Sequence, residues 1–197
     1  MIVLPTTYFA PVVFYAAISQ SDKIIFDKHE NFIKQTVRSR CEIYGANGKQ
    51  MLSVPVEKRG NNIPAKDVRI SYKEDWQKIH WRSIVSAYRN SPYFEYYCNE
   101  LEPFFYSKTE FLFHLNMDLH NVLMNLLKIK ITTEFTENYI EEYGQGILDF
   151  RKEKTSMPEI LPYHQVFEER YGFIPNLSIL DLLFNSGPDS VKVLRGK

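Results

Sequence analysis

The first thirty residues carry the pattern that most restricts the fold of this chain. Residues 1–4, MIVL, form a short apolar run, and residues 11–20, PVVFYAAISQ, begin with a proline suited to a first helical turn. A second apolar run rich in β-branched residues, KIIF, follows at residues 23–26. Strand, helix and strand in this order predict a βαβ unit with two neighbouring parallel strands, which is typical of an α/β fold.

The remaining pattern predicts a hairpin followed mainly by helices. The runs RSRCEIY and QMLSVPV flank a turn containing Asn47-Gly48, which is a strong hairpin signal. A polar loop at 57–67 precedes an edge strand at 68–72, and KITTEF at 130–135 indicates a further strand. Helical periodicity covers 76–90, 93–101 and 109–129. We therefore predict an α/β fold with a small, mainly parallel sheet, an inserted β-hairpin and a helical C-terminal half.

Length and composition predict one domain spanning residues 1–197. The chain has 197 residues, of which 44% are apolar and 24% charged, as in ordinary globular domains. Residues 136–158 are polar and contain glycines and a proline, so we expect a surface linker or lid there. Residues 159–190 then predict a helical C-terminal unit.

Charge and cysteine usage exclude several classes of function. Lysine plus arginine equals aspartate plus glutamate at 24 each, so no overall field favours nucleic acid as a partner. The apolar N-terminal run has no preceding basic residue and contains two prolines, so we expect neither a signal peptide nor a membrane span. Cys41 and Cys98 lie far apart without metal-finger spacing, which favours a reduced, cytoplasmic setting.

A polar cluster follows the second predicted strand, where ligands bind in open parallel sheets. Asp27 and His29 would share one face, and a carboxylate that orients an imidazole favours acid–base catalysis. The alternative is a solvated strand exit of no catalytic importance. Glu30 adds a third ligand-type residue, but without a second cluster it does not indicate a metal site.

Basic residues downstream predict a site for an anion. Arg38 and Arg40 alternate at the start of the hairpin and would lie about 7 Å apart on one face, where two planar donor groups suit a phosphate or carboxylate. Lys34 would assist them, and Tyr8 and His80 complete the predicted substrate-binding residues. The alternatives are a surface Arg–Asp pair and, for His80, an ordinary core histidine.

Two further polar residues are interpreted structurally. Asp181 lies between leucines and must find a partner if it is buried, for which we expect an arginine from the hairpin. His120 is expected to face solvent. Phosphate-binding glycine loops, GxSxG and HExxH are absent from the sequence, and the first strand–helix loop lacks the paired histidines of nucleotidylyltransferases. The cofactor is therefore unknown from these patterns, as are the acceptor and the oligomeric state.

Several segments together resemble the WbqC-like family of bacterial proteins over residues 3–190. They are Tyr8-Phe9-x-Pro11, SDKIIFDKHENFIKQTVRSRCEI, NGKQMLSVPVEK, Trp76-x-x-x-His80 with SAYRNSPYFEYY, and YHQVFEERYGFIPNLSILDLLFNSGP. The resemblance implies a role in surface polysaccharide, lipopolysaccharide or O-antigen biosynthesis. Family members commonly have Gln-Pro, a second Asp and Asn-Arg where this chain has Leu4-Pro5, Lys28 and Ser39-Arg40.

We accordingly expect a cytoplasmic transferase that modifies a nucleotide-sugar or a similarly activated anionic substrate, such as an acyl donor. Asp27 and His29 would supply acid–base chemistry, and the basic residues would bind the anion. Because Lys28 and Ser39 depart from the family pattern, a non-catalytic binding or assembly protein that retains the fold is the rival hypothesis. A degenerate nucleotidylyltransferase-like enzyme is a further alternative.

Overall fold

The fold is built on a four-stranded parallel sheet. The computed structural model describes residues 1–57, 60, 62–144, 146–152 and 158–196. The strands are β1 (Ile2–Leu4), β2 (Lys23–Phe26), β5 (Thr132–Phe135) and β6 (Leu148–Asp149), in the order β5-β2-β1-β6. Strand β1 pairs with β2 in register, from Ile2 opposite Ile24 to Leu4 opposite Phe26. The predicted βαβ unit and its parallel pairing are therefore confirmed.

Helix α1 (Val12–Ser19) makes the crossover between β1 and β2, and every residue from Val12 to Ile18 is buried. An all-apolar helix of this kind needs cover on all sides. Part of this cover comes from the C-terminal helices α6 (Ile179–Ser186) and α7 (Ser190–Leu194), which pack against α1. The two ends of the chain therefore share one hydrophobic core.

The inserted hairpin is formed by β3 (Arg40–Gly45) and β4 (Gly48–Ser53), which pair antiparallel. The turn residues are Ala46 and Asn47, and Gly48 has φ 94°. The predicted hairpin is confirmed, and its glycine is needed because this left-handed conformation is unfavourable for residues with a Cβ.

Helices form most of the remaining structure. They are α2 (Trp76–Tyr88), α3 (Phe94–Leu101), α4 (Leu112–Leu126) and α5 (Glu168–Tyr171), with 3-10 turns at Ala65–Asp67, Glu102–Phe105 and Gly187–Asp189. The α/β class with a helical C-terminal half is confirmed. Among the helices that the structure describes, none has the length and apolar character required to cross a bilayer.

Two local predictions differ from the structure. Residues 68–72 do not form an edge strand; they make only isolated bridges, Val56 with Ile70 and Arg69 with Phe111. Strand β6 lies inside the predicted linker or lid at 136–158. Residues 145 and 153–157 of that segment fall outside the described residues. The same is true of residues 58, 59 and 61 in the predicted loop at 57–67. Two residues of strand are too short to produce a recognisable sequence pattern.

Candidate functional site

The carboxyl ends of three parallel strands bring polar side chains to one edge of the sheet. Asp27 follows β2, Thr136 follows β5, and Arg151 lies two residues beyond β6. Asp27 is fully buried, and its Oδ1 accepts hydrogen bonds from the backbone N–H groups of His29 (3.0 Å) and Glu30 (3.1 Å) and from the hydroxyl of Thr136 (2.8 Å). The carboxylate therefore stabilises the turn by which the chain leaves the sheet.

Arg151 connects the last strand and the segment before it to Asp27. Its Nη1 forms a salt bridge with Oδ2 of Asp27 and donates to the carbonyl oxygen of Ile140 at 2.8 Å. Its Nε and Nη2 donate to the carboxylate of Asp149 at 2.9 and 2.6 Å. The guanidinium carbon lies 4.9 Å from the ring centre of Tyr143. Each guanidinium nitrogen thus has an acceptor within the protein.

A second buried ion pair contacts the first. Arg38 donates to Glu30 through Nε (2.8 Å) and Nη2 (2.5 Å), and both side chains are about 5% exposed. Nη2 of Arg38 also lies 3.5 Å from the carbonyl oxygen of Arg151, and the side-chain amide of Asn116 donates to the carbonyl oxygen of Arg38 at 2.8 Å. Arg38 is therefore occupied by internal partners. Arg38 lies in a turn before β3, so it does not alternate with Arg40 along one strand. The prediction of two parallel guanidinium groups depended on that alternation.

We call Asp27, Glu30, Asp149, Arg38 and Arg151 the edge cluster. Burial raises the pKa of Glu30, although its ion pair with Arg38 acts in the opposite direction. Burial also acts to raise the pKa of Asp149, but the hydrogen bonds and charge of Arg151 outweigh it and lower that pKa. Burial would lower the pKa of Arg151, yet the two neighbouring carboxylates raise it. The cluster is thus a set of mutually stabilised charges that anchors three chain segments.

His29 is the member of the predicted acid–base pair that remains accessible. Its side chain is half-buried, and its ring forms no hydrogen bond with any residue that the structure describes. Asp27 binds the backbone N–H of His29 rather than its imidazole. Lys28 is half-buried and Lys34 is exposed, and within the described ranges neither forms an ion pair. The segment that leaves β2 therefore carries an imidazole and two ammonium groups that have no partner in the described part of the chain.

Arg40, at the start of β3, is half-buried. Its Nε is inaccessible to water and has no hydrogen-bond partner among the described residues. A buried donor of this kind is costly unless a further group satisfies it. Of the two predicted arginines, Arg40 is therefore the one that still has an unused donor.

Tyr8 and His80 form a separate buried pair. The hydroxyl of Tyr8 lies 2.9 Å from Nδ1 of His80, and the ring of Trp76 packs against the imidazole with centroids 5.1 Å apart. Burial lowers the pKa of His80 to about 4, against a hydrogen bond with the backbone of Ser53, and burial also raises the pKa of Tyr8. Both groups are therefore neutral at physiological pH, and their contacts are those of the core.

The loop between β1 and α1 is closed by the C-terminal unit. The backbone N–H of Val12 donates to the carbonyl oxygen of Leu177 (2.9 Å), and that of Val13 lies 3.4 Å from Oδ1 of Asn176. Ile179 donates back to the carbonyl oxygen of Ala10 (2.9 Å). Helix N-termini bind phosphate through free N–H groups. In this structure the first of those groups at α1 are occupied by protein acceptors.

Two structural expectations were wrong. Asp181 is buried, but its partners are the hydroxyl of Tyr163 and the amide of Gln165, each at 2.7 Å, rather than an arginine. His120 does not face solvent: it is 9% exposed and packs edge-on against Phe26 at 4.9 Å. The ring lies between Phe26, at the end of β2, and Tyr15 of α1, whose centroid is 6.0 Å away.

Sequence reasoning missed Thr136 and Arg151, whose side chains form a hydrogen bond and a salt bridge with the carboxylate of Asp27. Thr136 immediately follows the predicted strand 130–135, so the rule that singled out Asp27 could also have identified Thr136. Arg151 had no such signal, because β6 was not recognised. Among the described residues, no three His, Cys, Asp or Glu side chains are grouped so that they could hold a metal ion.

The fold and the edge cluster define an α/β protein whose parallel sheet ends in a buried network of ion pairs. The chain belongs to the WbqC-like protein family, whose model matches residues 6–155 and 148–193. It is also 25% identical over 215 residues to "Uncharacterized protein Rv1507c" of Mycobacterium tuberculosis (strain ATCC 25618 / H37Rv), covering 92% of this chain and 91% of that protein. No solved structure matches the chain at a significant level.

Proposed function

We propose that this protein is a transferase acting on a nucleotide-sugar or a similarly activated anionic substrate, with His29 as its acid–base group. The observation that carries the proposal is the unpaired, half-buried imidazole of His29 at the carboxyl edge of the sheet. Histidine is the usual residue for proton transfer near neutral pH, and this edge is where open parallel sheets bind ligands.

In the proposed reaction, His29 accepts the proton of an acceptor hydroxyl as its oxygen forms a bond to the transferred group. The bond that joins this group to the phosphate of a nucleotide-sugar, or to the thioester sulfur of an acyl-coenzyme A, breaks, and the phosphate or thiolate leaves with the bonding electrons. Lys34, Lys28 and the positive charge of half-buried Arg40 would balance the negative charge that develops on the leaving group. No metal or cofactor is required by this scheme.

Asp27 and Arg38 have a positioning role in this proposal. Asp27 receives three hydrogen bonds and a salt bridge, and Arg38 is paired with Glu30. Neither side chain has a polar atom to spare for a substrate. They act by fixing the turn that presents His29, and Tyr8 and His80 similarly fix the neighbouring loop. We propose that this activity takes place in the cytoplasm and serves the biosynthesis of bacterial surface polysaccharide.

The internal pairing of the edge cluster also favours a second candidate, a non-catalytic binding or assembly protein. Every charged group of the cluster has a partner, as expected if the network only stabilises the fold. The nucleotidylyltransferase-like alternative is less favoured, because the N-terminus of α1 is occupied by residues 176–179.

Turnover and binding distinguish the two candidates. Purified protein would be titrated by calorimetry with UDP-glucose and acetyl-coenzyme A, and release of the nucleoside diphosphate or free coenzyme A would be followed with sugar acceptors. For a transferase, His29→Gln lowers turnover about 100-fold or more while binding persists. Lys34→Gln weakens binding about twofold to fivefold, as for one exposed charge.

His114→Gln is the matched control, since His114 is an exposed histidine on α4. Binding that is unaffected by His29→Gln and Lys34→Gln, with no turnover in any acceptor mixture, would refute the transferase and support the binding protein. Equal loss of turnover in His114→Gln would refute the assignment to His29.

A further inference from the structure

Away from the edge cluster, a cleft of about 460 Å³ runs along the exposed side of α2. It is lined by residues of α2, of the chain before it and of the 3-10 turn at Glu102–Phe105. A recess of about 410 Å³ shares Trp81 and Arg82 with the cleft and continues along α2 to Arg89. Trp81 and Arg82 thus stand at the centre of one continuous lining, which we call the α2 cleft.

The aromatic part of the α2 cleft is held rigidly. The indole of Trp81 is nearly parallel to the rings of Phe105 and Phe94, with interplanar angles of 27° and centroids 5.2 and 6.3 Å away. Trp81 is only half-buried, and its side chain lines both the cleft and the recess, where a ligand can contact it. A fixed, partly exposed indole is a platform on which planar heteroaromatic rings stack, and such stacking tolerates different bases.

Cations are concentrated beside this platform. Lys78 and Arg82 are four residues apart on α2, which places two like charges next to each other on the helix. Among the residues that the structure describes, neither has an ion-pair partner, and Arg89 in the adjoining recess has none either. Such an arrangement destabilises the helix unless an anion neutralises it. The two acidic residues of the lining are Glu74 and Asp75, so cations remain in excess.

The lining also offers a fixed hydrogen-bonding group. The amide nitrogen of Gln77 donates to the carbonyl oxygens of Phe104 (2.8 Å) and Ser107 (2.6 Å), which locks the side chain in place. Its oxygen forms no hydrogen bond with the described residues and can accept one from an amino or hydroxyl group of a ligand.

We propose that the α2 cleft binds a nucleoside phosphate, whose base stacks on Trp81 and whose phosphate lies between Lys78 and Arg82. An aromatic platform and an unneutralised cation pair together match the two halves of this class of molecule, and a volume near 460 Å³ accommodates it. The site is separate from the rim formed by His29 and Lys34, and it does not depend on the transferase proposal.

The tryptophans provide the assay. The protein has two, Trp76, which is 4% exposed, and Trp81 in the cleft, so quenching of intrinsic fluorescence on stacking reports Trp81. ADP and UDP would be titrated into the full chain, with adenosine and inorganic phosphate as half-ligands. We expect saturable quenching by the nucleotides, weaker binding of each half-ligand, and a loss of affinity of about tenfold in Arg82→Gln.

Three comparisons make the result decisive. Arg195→Gln, at an exposed arginine near the C-terminus, should bind as the wild type does. Trp81→Phe should weaken binding when it is measured by calorimetry, and His114→Gln, at an exposed histidine on α4, should leave it unchanged. The proposal is refuted if no nucleotide binds at millimolar concentration. It is equally refuted if binding survives both Arg82→Gln and Trp81→Phe, or if Arg195→Gln or His114→Gln weakens it as much as Arg82→Gln does.

Discussion

Replacement of Asp181 by asparagine should change the free energy of unfolding by an amount that depends on pH. Asp181 is completely buried in α6, and no cation neutralises it among the described residues. Burial raises the pKa of its carboxyl group from the ordinary 3.8 to about 6, against hydrogen bonds from Tyr163 and Gln165 that favour the ionised form. The folded state therefore holds this proton more tightly than the unfolded state does.

The sign and size of the effect follow from that difference. Because the folded pKa is the higher one, the free energy of unfolding falls as pH rises from about 4 to about 6 and stays lower above that range. At about 1.4 kcal/mol per pKa unit, the change from 3.8 to about 6 costs the ionised protein about 3 kcal/mol. Asparagine removes this cost, but its amide nitrogen would replace Oδ1, which has no partner among the described residues. That unpaired donor costs about 1–3 kcal/mol at every pH.

The quantity to measure is therefore the difference in free energy of unfolding between the variant and the wild type, and how that difference depends on pH. Urea unfolding followed by tryptophan fluorescence should show the free energy of unfolding of Asp181→Asn, relative to wild type, rising by about 2 kcal/mol between about pH 4.5 and about pH 7.5. Asp118→Asn, at an exposed carboxylate on α4, should show no such rise. A difference for Asp181→Asn that is constant across this range would refute the reasoning.

Three further substitutions test the packing around the candidate site by urea unfolding. Arg151→Met should lower the free energy of unfolding by about 3–5 kcal/mol, because it leaves buried carboxylates unpaired; a cost below about 1 kcal/mol would mean that the network is not buried in solution. Tyr8→Phe removes the hydroxyl bonded to a buried histidine and should cost about 1–3 kcal/mol, whereas no change would place that bond outside the core. Gly187→Ala should cost more than Gly172→Ala, since both have positive φ but only at 187 would the new Cβ lie 2.5 Å from the ring of Tyr93; equal costs would contradict this packing.

The parts of the fold that sequence predicted correctly are those with local signals. The β1 and β2 runs are short, apolar and separated by a helix of suitable length, so both their identity and their parallel pairing follow from general rules. The hairpin depends on Gly48, whose positive φ is a property of the turn alone. The longest predicted helix is also the longest observed, α4.

The composition of the candidate site was less predictable, because its partners are distant in sequence. Asp27 was identified from its position after β2, but the residues that pair with it, Thr136 and Arg151, lie 109 and 124 residues further along the chain. Spacing favoured Arg38 as a partner for Arg40 or an anion, whereas the fold places Glu30 against it. Local patterns show which residues reach an edge of the sheet, and only the packing of remote segments decides which charges are already neutralised there.

The most direct test of the central claim is the response of the His29 imidazole to substrate. The protein contains five histidines, so their ring resonances can be resolved by NMR, and the His29→Gln variant assigns the signal of interest. On addition of UDP-glucose, the account predicts a shift of the His29 resonance that persists in Arg82→Gln, while the buried His80 and His120 change little. A His29 resonance that does not move while nucleotide-sugar binding is demonstrated by calorimetry would contradict the assignment of this edge as the active site.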